Sequence, residues 1–295
     1  MGNLIGSSIS SEEMMKVLRF VRQSKEDAKQ YEWLYQCTNI ASLLNIIKSK
    51  EIWLTNLQLV NDKEEAKRIT VPEFEKSYYV ACFTYADDIP LEHWTEYCNG
   101  EPEKGILVGI KNDCVVKKPE FLSQDGYRVF DNKIKICGSF EEATRVVLKS
   151  NGQMPYFIID YGFYKIVYDD ELKSTMDGAC NWDVDDNMPM GKYIITGFPG
   201  TVKNKQGMCC RNGREPYPKK WASEKEIRLK VGVKTTNKQL PKDMFFPRMA
   251  LPLKENIFDE IILRFSPMMD EKVAEETLRT IKEVLPHSII HVLDN

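Results

Sequence analysis

The pattern of apolar and polar residues predicts a helix at the N-terminus and a mixed fold after it. Between Met14 and Val21, apolar residues recur at helical spacing behind a polar leader. We therefore expect a helical lead-in over residues 1–30 and one domain over residues 31–295. No shift in composition marks a further boundary.

Short apolar and aromatic runs predict most of the remaining elements. The expected strands are 33–37, 51–55, 78–84, 105–110, 127–130, 156–168, 226–233, 260–265 and 288–292. The expected helices are 40–49, 64–69, 91–97, 140–150 and 270–285. Strands dominate the middle of the chain and helices its ends, which predicts an α+β domain with a central mixed or antiparallel sheet flanked by helices.

Residues 181–219 interrupt this pattern with Asp, Asn, Gly, Pro, Lys and Arg. The segment from Lys203 to Lys220, both included, contains six basic residues and one acid, Glu215. We interpret the region near 200–220 as a long exposed loop, which in a folded domain is usually functional or disordered. Clustered cations favour phosphate backbones, so the loop is a candidate contact for a nucleic acid. A solvated loop without a partner is the alternative.

Composition narrows the class of protein. The 295 residues are 42% hydrophobic and 29% charged, which is typical of globular domains and argues against general disorder or a coiled-coil rod. The net charge of −3 gives no global attraction to nucleic acids or membranes. Because there is no long apolar run and no signal-like leader, we expect no membrane association and a cytoplasmic location with reduced thiols. Three histidines without a C-x-x-C pair predict no metal site.

The most informative chemical pattern enters the strand predicted at 226–233. Alternation places Glu224, Glu226 and Arg228 on one face, away from the apolar residues of the strand. Two carboxylates are costly to bury without partners, so this face lines either solvent or a polar cleft. A solvated edge strand with an ion pair is the plainer interpretation. In a cleft, a glutamate would stabilise a cationic transition state.

Other candidate residues lie at the ends of predicted strands and in a helix. Gln36 has hydrogen-bonding capacity and Thr38 can cap the next helix, whereas each histidine is interpreted as a surface or packed residue. Thr84 ends a strand, and Trp94 and Tyr97 follow at helical spacing, which fits either a core or a ligand platform.

A third combination suggests a different chemistry. Asp160 ends a strand-like run, and Glu171 and Lys173 follow it. In metal-dependent nucleases carboxylates hold Mg²⁺ and a lysine orients water, so a nuclease is one alternative.

Taken together, the order of these motifs resembles the bacterial family called domain of unknown function 2971 over roughly residues 31–293. The resemblance rests on the run LYQCTNIASLLNIIKSKEIWLTNLQLVNDKEE, on Cys82-Phe83-Thr84, Trp94-x-x-Tyr97 and GILVGI, and on Trp221, Glu224, Glu226 and Arg228 in the late W-x-x-E-x-E-x-R pattern. The family has no established activity. Its layout is in turn similar to the ADP-ribosyltransferase fold, which has a split sheet.

The transferase resemblance implies NAD as the substrate and a macromolecule as the acceptor, as in a toxin or a phage-defence effector. It implies that Glu226 is the catalytic glutamate and that Glu224 orients the acceptor. The residues that it implies for binding NAD are Gln36, Thr38, Thr84, Trp94, Tyr97 and Arg228. Gln36 stands where the family has histidine, and this departure favours the alternative of a non-catalytic binding or scaffold protein on the same fold.

Overall fold

The computed structural model describes residues 11–62, 65, 78–98, 100–113, 127–130, 133–136, 157–174, 200–210, 215–234 and 248–294. The main helices in these ranges are α1 (Ser11–Ala28), α2 (Ile40–Ser49), α3 (Leu91–Tyr97) and α4 (Glu271–Val284). Short 3₁₀ turns lie at Leu57–Leu59, Pro102–Lys104 and Trp221–Glu224.

The structure has a strand at each predicted run and five strands that were not predicted, at Lys133–Ile136, Val202–Lys203, Gln206–Cys209, Tyr217–Lys220 and Arg248–Pro252. In chain order, the strands are β1 (Trp33–Asn39), β2 (Glu51–Asn56), β3 (Tyr78–Thr84), β4 (Gly105–Lys111), β5 (Tyr127–Phe130), β6 (Lys133–Ile136), β7 (Phe157–Lys165), β8 (Val167–Tyr168), β9 (Val202–Lys203), β10 (Gln206–Cys209), β11 (Tyr217–Lys220), β12 (Glu226–Lys234), β13 (Arg248–Pro252), β14 (Glu260–Phe265) and β15 (Ile289–Val292).

Most of these strands belong to one mixed sheet. Its order is β15-β14-β4-β1-β3-β2-β13-β6-β5, with β12 paired to β3 and β7 paired to β12. The β14–β15 and β13–β6 pairs are parallel, and the other pairs of this sheet are antiparallel. The predicted mixed sheet flanked by helices is therefore confirmed.

The sheet branches at β3. One edge of β3 pairs with β12 along its whole length, from Tyr78 to Thr84. On the other edge, β2 pairs with the start of β3 (Thr55 opposite Val80), whereas β1 pairs only with its end (Tyr35 opposite Thr84). Strands β1 and β2 therefore diverge from a single edge, and we call the gap between them the fork.

The two faces of the sheet differ in chemistry. Ile227, Leu229 and Val231 of β12 belong to the large apolar core, to which α2 and α4 contribute Leu43 and Ile281. Side chains alternate along a strand, so Glu226, Arg228 and Lys230 lie on the opposite face. A smaller apolar cluster on that side joins α3 to β1 and β4 through Trp94, Tyr35 and Leu107.

Local sequence explains how the helices start and end. The side chain of Asn39 accepts a hydrogen bond from the Ser42 amide at 2.8 Å, so Asn39 caps α2. Lys50 ends the helix in the left-handed region at φ 50°. Asp270 caps α4 in the same way, and β14, α4 and β15 form the predicted βαβ-like tail.

Helix α1 covers the outer strand β7. The Ser24 hydroxyl donates to the Lys165 carbonyl at 2.7 Å, and the Lys25 ammonium donates to the Tyr161 carbonyl at 3.2 Å. The predicted lead-in is thus a helix from residue 11 onward, and the part before it lies outside the described residues. None of the described helices combines the length and hydrophobicity needed to cross a bilayer.

The expectation of a long exposed loop near 200–220 is wrong for the part of it that the structure describes. Strand β9 pairs with β8, and β10 and β11 form a hairpin from Gln206 to Lys220. Lys203 and Lys219 are buried because both pair with carboxylates, whereas Lys205 and Lys220 are exposed. The helix expected at 140–150, and that at 64–69 except for Glu65, lie outside the described residues.

Candidate functional site

A cleft of about 300 Å³ opens at the fork of the sheet. Its floor comes from β3 and from the start of β12, and its walls come from β1, β2, α3 and the Trp221–Glu224 turn. The lining residues are Tyr35, Gln36, Cys37, Trp53, Thr55, Leu59, Val60, Asn61, Asp62, Val80, Ala81, Cys82, Phe83, Thr84, Ile89, His93, Tyr97, Lys203, Trp221, Glu224, Glu226 and Arg228. Charged and aromatic side chains therefore share the surface of one cleft.

A buried ion-pair cluster forms one wall of this cleft. Its contacts join four carboxylates to three cations, and the residues involved are Glu65, Glu96, Glu224, Glu226, Lys203, Lys219 and Arg228. All seven are buried. Buried charges are stable only when they are paired and hydrogen-bonded. The ion pairs therefore allow these charged side chains to form a buried wall of the cleft.

Arg228 is the centre of the cluster. It donates to Glu226 through Nε at 2.6 Å and Nη2 at 3.2 Å, and to Glu65 through Nη1 at 2.8 Å and Nη2 at 3.1 Å. A fifth hydrogen bond joins Nη1 to the Gly200 carbonyl at 3.2 Å. A guanidinium has five N–H donors, so Arg228 is fully engaged and holds Glu226 in one orientation.

Lys203 links the same carboxylates from the other side. Its ammonium lies 3.1 Å from Glu224, 3.4 Å from Glu226 and 3.6 Å from Glu65. The ammonium also lies 4.2 Å from the centre of the Trp221 ring, which adds a cation–π contact. Burial alone would lower the pKa of Lys203, but the surrounding glutamates raise it well above its ordinary value, so the side chain is a cation.

Glu224 is held by three partners. It accepts a hydrogen bond from the Tyr97 hydroxyl and pairs with Lys203 and, at 2.9 Å, with Lys219. Burial would raise the pKa of this carboxyl, but Lys203 and then Lys219 outweigh that effect and lower it. Glu224 is therefore a carboxylate whose oxygens are already occupied.

Helix α3 is tied to the β10–β11 hairpin through the outer part of the cluster. Lys219 and the Tyr217 hydroxyl both bind the Glu96 carboxylate. Gly105 allows the helix to lie close to β4, because a Cβ at this position would meet Cys98 Sγ at 2.8 Å and Trp94 Cε3 at 2.9 Å. These contacts fix the position of Tyr97 and His93 above the fork.

Most of the predicted transferase residues meet in this cleft. Glu224, Glu226, Arg228, Thr84 and Tyr97 all line it. The interpretation of 226–233 as a solvated edge strand is wrong, since β12 lies between β3 and β7 and its charged side chains are buried.

One detail of the strand prediction needs correction. Glu224 lies in the 3₁₀ turn before β12 and not on the strand, because Lys225 adopts the left-handed conformation at φ 47°. The turn, and not strand alternation, brings Glu224 to the same cleft as Glu226.

The remaining predicted binding residues do not present their side chains in the expected way. Gln36 borders the cleft, but alternation places its side chain beside that of Val108, on the face of the large core. Thr38 shares that face and does not line the cleft, and Asn39 rather than Thr38 caps α2. Trp94 packs under α3 in the smaller apolar cluster and is not a lining residue.

The three nuclease residues lie on different segments, with Asp160 in β7 and both Glu171 and Lys173 after β8. Asp160 lies opposite Gly232 in the sheet, whereas the Ile166 amide bonds the Glu226 carbonyl six residues further along an extended chain. At about 3.3 Å per residue, roughly 20 Å of extended chain separates Asp160 from Ile166. Lys173 lies near the Glu65 carboxylate, whose pKa it helps to lower. Within the described ranges no group of three or more His, Cys, Asp or Glu residues could hold a metal ion.

Sequence reasoning missed several residues of the site. Glu65, Lys203 and Lys219 carry no local signal, because each is a charged residue in a polar stretch. His93 is packed, at 5% exposed, which agrees with the interpretation of each histidine as a surface or packed residue, but its position in the lining of the cleft was not foreseen. Its position between Leu91 and Trp94, on a predicted helix with Tyr97, was the available hint.

Main-chain groups also face the cleft. The Tyr85 amide donates to the Lys225 carbonyl at 3.2 Å. Along an antiparallel strand, the main-chain N–H and C=O of successive residues point to alternate edges. The odd-numbered residues of β3 therefore direct these groups toward β12, and the even-numbered residues direct them toward the other edge. Thr84 and Val80 therefore pair with β1 and β2 on the opposite edge. Cys82 lies between them, at the fork, and no β1 or β2 residue is in register with it. By the same alternation, its N–H and C=O face the fork and not β12.

Comparison of the chain with protein-family models, curated proteins and solved structures finds no match.

Proposed function

We propose that the protein is an ADP-ribosyltransferase-like enzyme that uses NAD to modify a macromolecular acceptor. One observation carries the proposal: Glu226 shares a single cleft with the Tyr97 ring, Thr84 and the open main-chain edge of Cys82. Under this proposal, the fork at β3 corresponds to the split sheet of the transferase fold.

The chemistry of the cleft suits this reaction. Loss of nicotinamide leaves a cationic, oxocarbenium-like ribose, and a fixed carboxylate stabilises such a charge. Arg228 and Lys203 hold Glu226 in place, so the carboxylate need not reorganise during the reaction. The Cys82 N–H and C=O match the acceptor and donor of a carboxamide, and Tyr97 offers an aromatic wall.

The size of the cleft limits what it encloses. About 300 Å³ is at the lower end for small-molecule sites, so we assign it to the nicotinamide and its ribose rather than to a whole dinucleotide. The acceptor binds elsewhere. Lys205 and Lys220 of the β10–β11 hairpin region are exposed cations. Exposed lysines attract phosphate backbones, so we assign a nucleic acid as the acceptor.

The second candidate is a binding or scaffold protein that does not turn over NAD. It is favoured by the engagement of Glu226, whose oxygens already bind Arg228 and Lys203. The orientation of Gln36 toward the core also favours it, because no side chain at that position holds a ribose in the cleft.

The deciding experiment compares nicotinamide release from NAD by the parent protein, Glu226→Gln and Glu65→Gln. Purified nucleic acids and cell extract serve as acceptors. Glu65 is a matched control, since it binds the same Arg228 but does not line the cleft. We expect release by the parent, a loss of about 100-fold or more in Glu226→Gln, and a smaller loss in Glu65→Gln at temperatures where all three are folded.

The result separates the two candidates. Binding of NAD without release, unchanged by Glu226→Gln, supports the binding protein. Neither binding nor release by the parent refutes the transferase proposal. If the parent modifies an acceptor and the double variant Lys205→Glu/Lys220→Glu does not, the β10–β11 hairpin is the surface that binds this acceptor.

A further inference from the structure

The cleft contains a histidine that the proposed chemistry has not used. His93 lies on α3 with 5% of its surface exposed, and its ring packs edge-on against Tyr97 with 5.7 Å between ring centres. Its main-chain groups are engaged, because the amide donates to the Pro90 carbonyl and the carbonyl accepts from Cys37 Sγ at 3.9 Å. Its ring nitrogens make no hydrogen bond to any residue that the structure describes.

The ring nitrogens are not among the fully buried polar atoms that lack a partner, so they reach the open part of the cleft. His93 lines the cleft together with Glu224 and Glu226, so a ligand bound in the cleft lies next to the His93 ring. Unlike these carboxylates, whose oxygens bind Lys203, Lys219, Arg228 or Tyr97, the imidazole is available to accept a proton.

The charged groups around His93 set its state. Lys219 faces it from β11, Glu224 from the 3₁₀ turn, and Glu92 and Glu96 from α3 itself. Burial first, and then Lys219, lower the pKa of His93 below its ordinary value of 6.5, although the three glutamates oppose this. The ring is therefore neutral at pH 7, which is the form that can act as a base.

We propose that His93 is the general base that accepts the proton of an attacking hydroxyl group. The inference rests on the proposed NAD chemistry. The hydroxyl oxygen forms a bond to the anomeric carbon of the ribose while the bond from that carbon to the nicotinamide nitrogen breaks. The electron pair of the broken bond stays with the nicotinamide, which leaves uncharged, and the hydroxyl proton passes to His93 and then to solvent.

The test measures nicotinamide release and NAD affinity between pH 5 and 8 for the full-length parent, His93→Gln and His287→Gln. His287 is exposed on the C-terminal segment and serves as the matched control. We expect His93→Gln to lose about 10²–10⁴-fold in release rate at pH 7.5 while it still binds NAD. The parent rate should fall on acidification below pH 6.5, as His93 is protonated, and this dependence should vanish in His93→Gln.

Two further measurements separate catalysis from structure. Imidazole added to His93→Ala should restore part of the rate, which it would not do for a purely structural defect. If the variants do not fold, the parent profile decides, and a rate independent of pH from 5 to 8 overturns the proposal. Parent-like release by His93→Gln with an unchanged profile overturns this inference alone, whereas absence of NAD binding and release in the parent overturns the proposed function and this inference with it.

Discussion

Arg228 and Glu65 form a two-point ion pair, with Nη1 and Nη2 of the guanidinium lying 2.8 and 3.1 Å from the two carboxylate oxygens. Both side chains are at most 2% exposed. Glu65 is 163 residues away in sequence and does not line the cleft, so its role is to hold the arginine that orients Glu226.

Loss of the Glu65 charge should therefore destabilise the protein. Removing one partner of a buried pair leaves the other charge uncompensated, which costs about 3–5 kcal/mol. We expect Glu65→Gln to lower the free energy of unfolding by this amount in urea titrations. Glu276→Gln breaks an exposed pair with Arg279 and should change it by less than about 1 kcal/mol. Equal effects of the two variants would contradict the importance of the buried pair.

Acid should weaken the same cluster. Arg228 and Lys203 overcome burial and lower the pKa of Glu65, and lysines do the same for Glu224. A carboxyl whose pKa is lower in the folded state adds stability that is complete above its unfolded value, 4.5, and is lost as the pH falls below it. The free energy of unfolding should drop between pH 5 and pH 3.

The variant comparison identifies the groups responsible. Glu65→Gln should show a shallower drop than the parent over this range, because one of the shifted carboxyls is gone. Urea titrations at half-unit pH intervals measure both slopes. Parallel curves for the parent and the variant would assign the acid sensitivity to other carboxyls.

The Cys82 thiol should be unreactive despite its exposure. The side chain opens to the cleft, yet desolvation there and the neighbouring Glu226 raise its pKa well above the ordinary value. Since the thiolate is the reactive form, we expect slow alkylation by iodoacetamide at pH 7.5. Peptide mapping by mass spectrometry measures the rate at this residue.

Changing the neighbour should reverse this effect. In Glu226→Gln the positive charges of Arg228 and Lys203 remain, so the pKa of Cys82 should fall and its alkylation should accelerate. Glu260→Gln, which removes an exposed pair with Lys111, is the control and should leave the rate unchanged. Slower labelling in Glu226→Gln would show that the carboxylate does not govern the thiol.

Most strands of the large sheet were predictable because their apolar runs are strong local signals, whereas the short strands between Val202 and Lys220 lie in a polar stretch and were missed. For β12, alternation also identified which side chains are charged on one face. It did not reveal that the strand is central, because pairing with β3 and β7 depends on residues far away in sequence. Interpreting the polar face as solvated followed from this missing information.

The site itself was only partly predictable for the same reason. Glu226 and Arg228 stand in a recognisable motif, but their partner Lys203 lies in a polar stretch that is typical of a loop. A lysine that pairs with three buried carboxylates has the same local sequence as a solvated one. The side-chain direction of Gln36 depends on which face of the sheet each residue of β1 occupies. Because side chains alternate along β1, Gln36 points to the face opposite that of Tyr35.

The buried ion-pair cluster has a consequence for the synthesis of the protein. Its seven members come from positions 65, 96, 203, 219, 224, 226 and 228, so a ribosome-bound chain acquires the last of them only after more than three-quarters of the 295 residues have been joined. Contacts of such long sequence separation form late in folding. Nascent chains that end before residue 228 therefore lack part of the ion-pair network that forms one wall of the cleft.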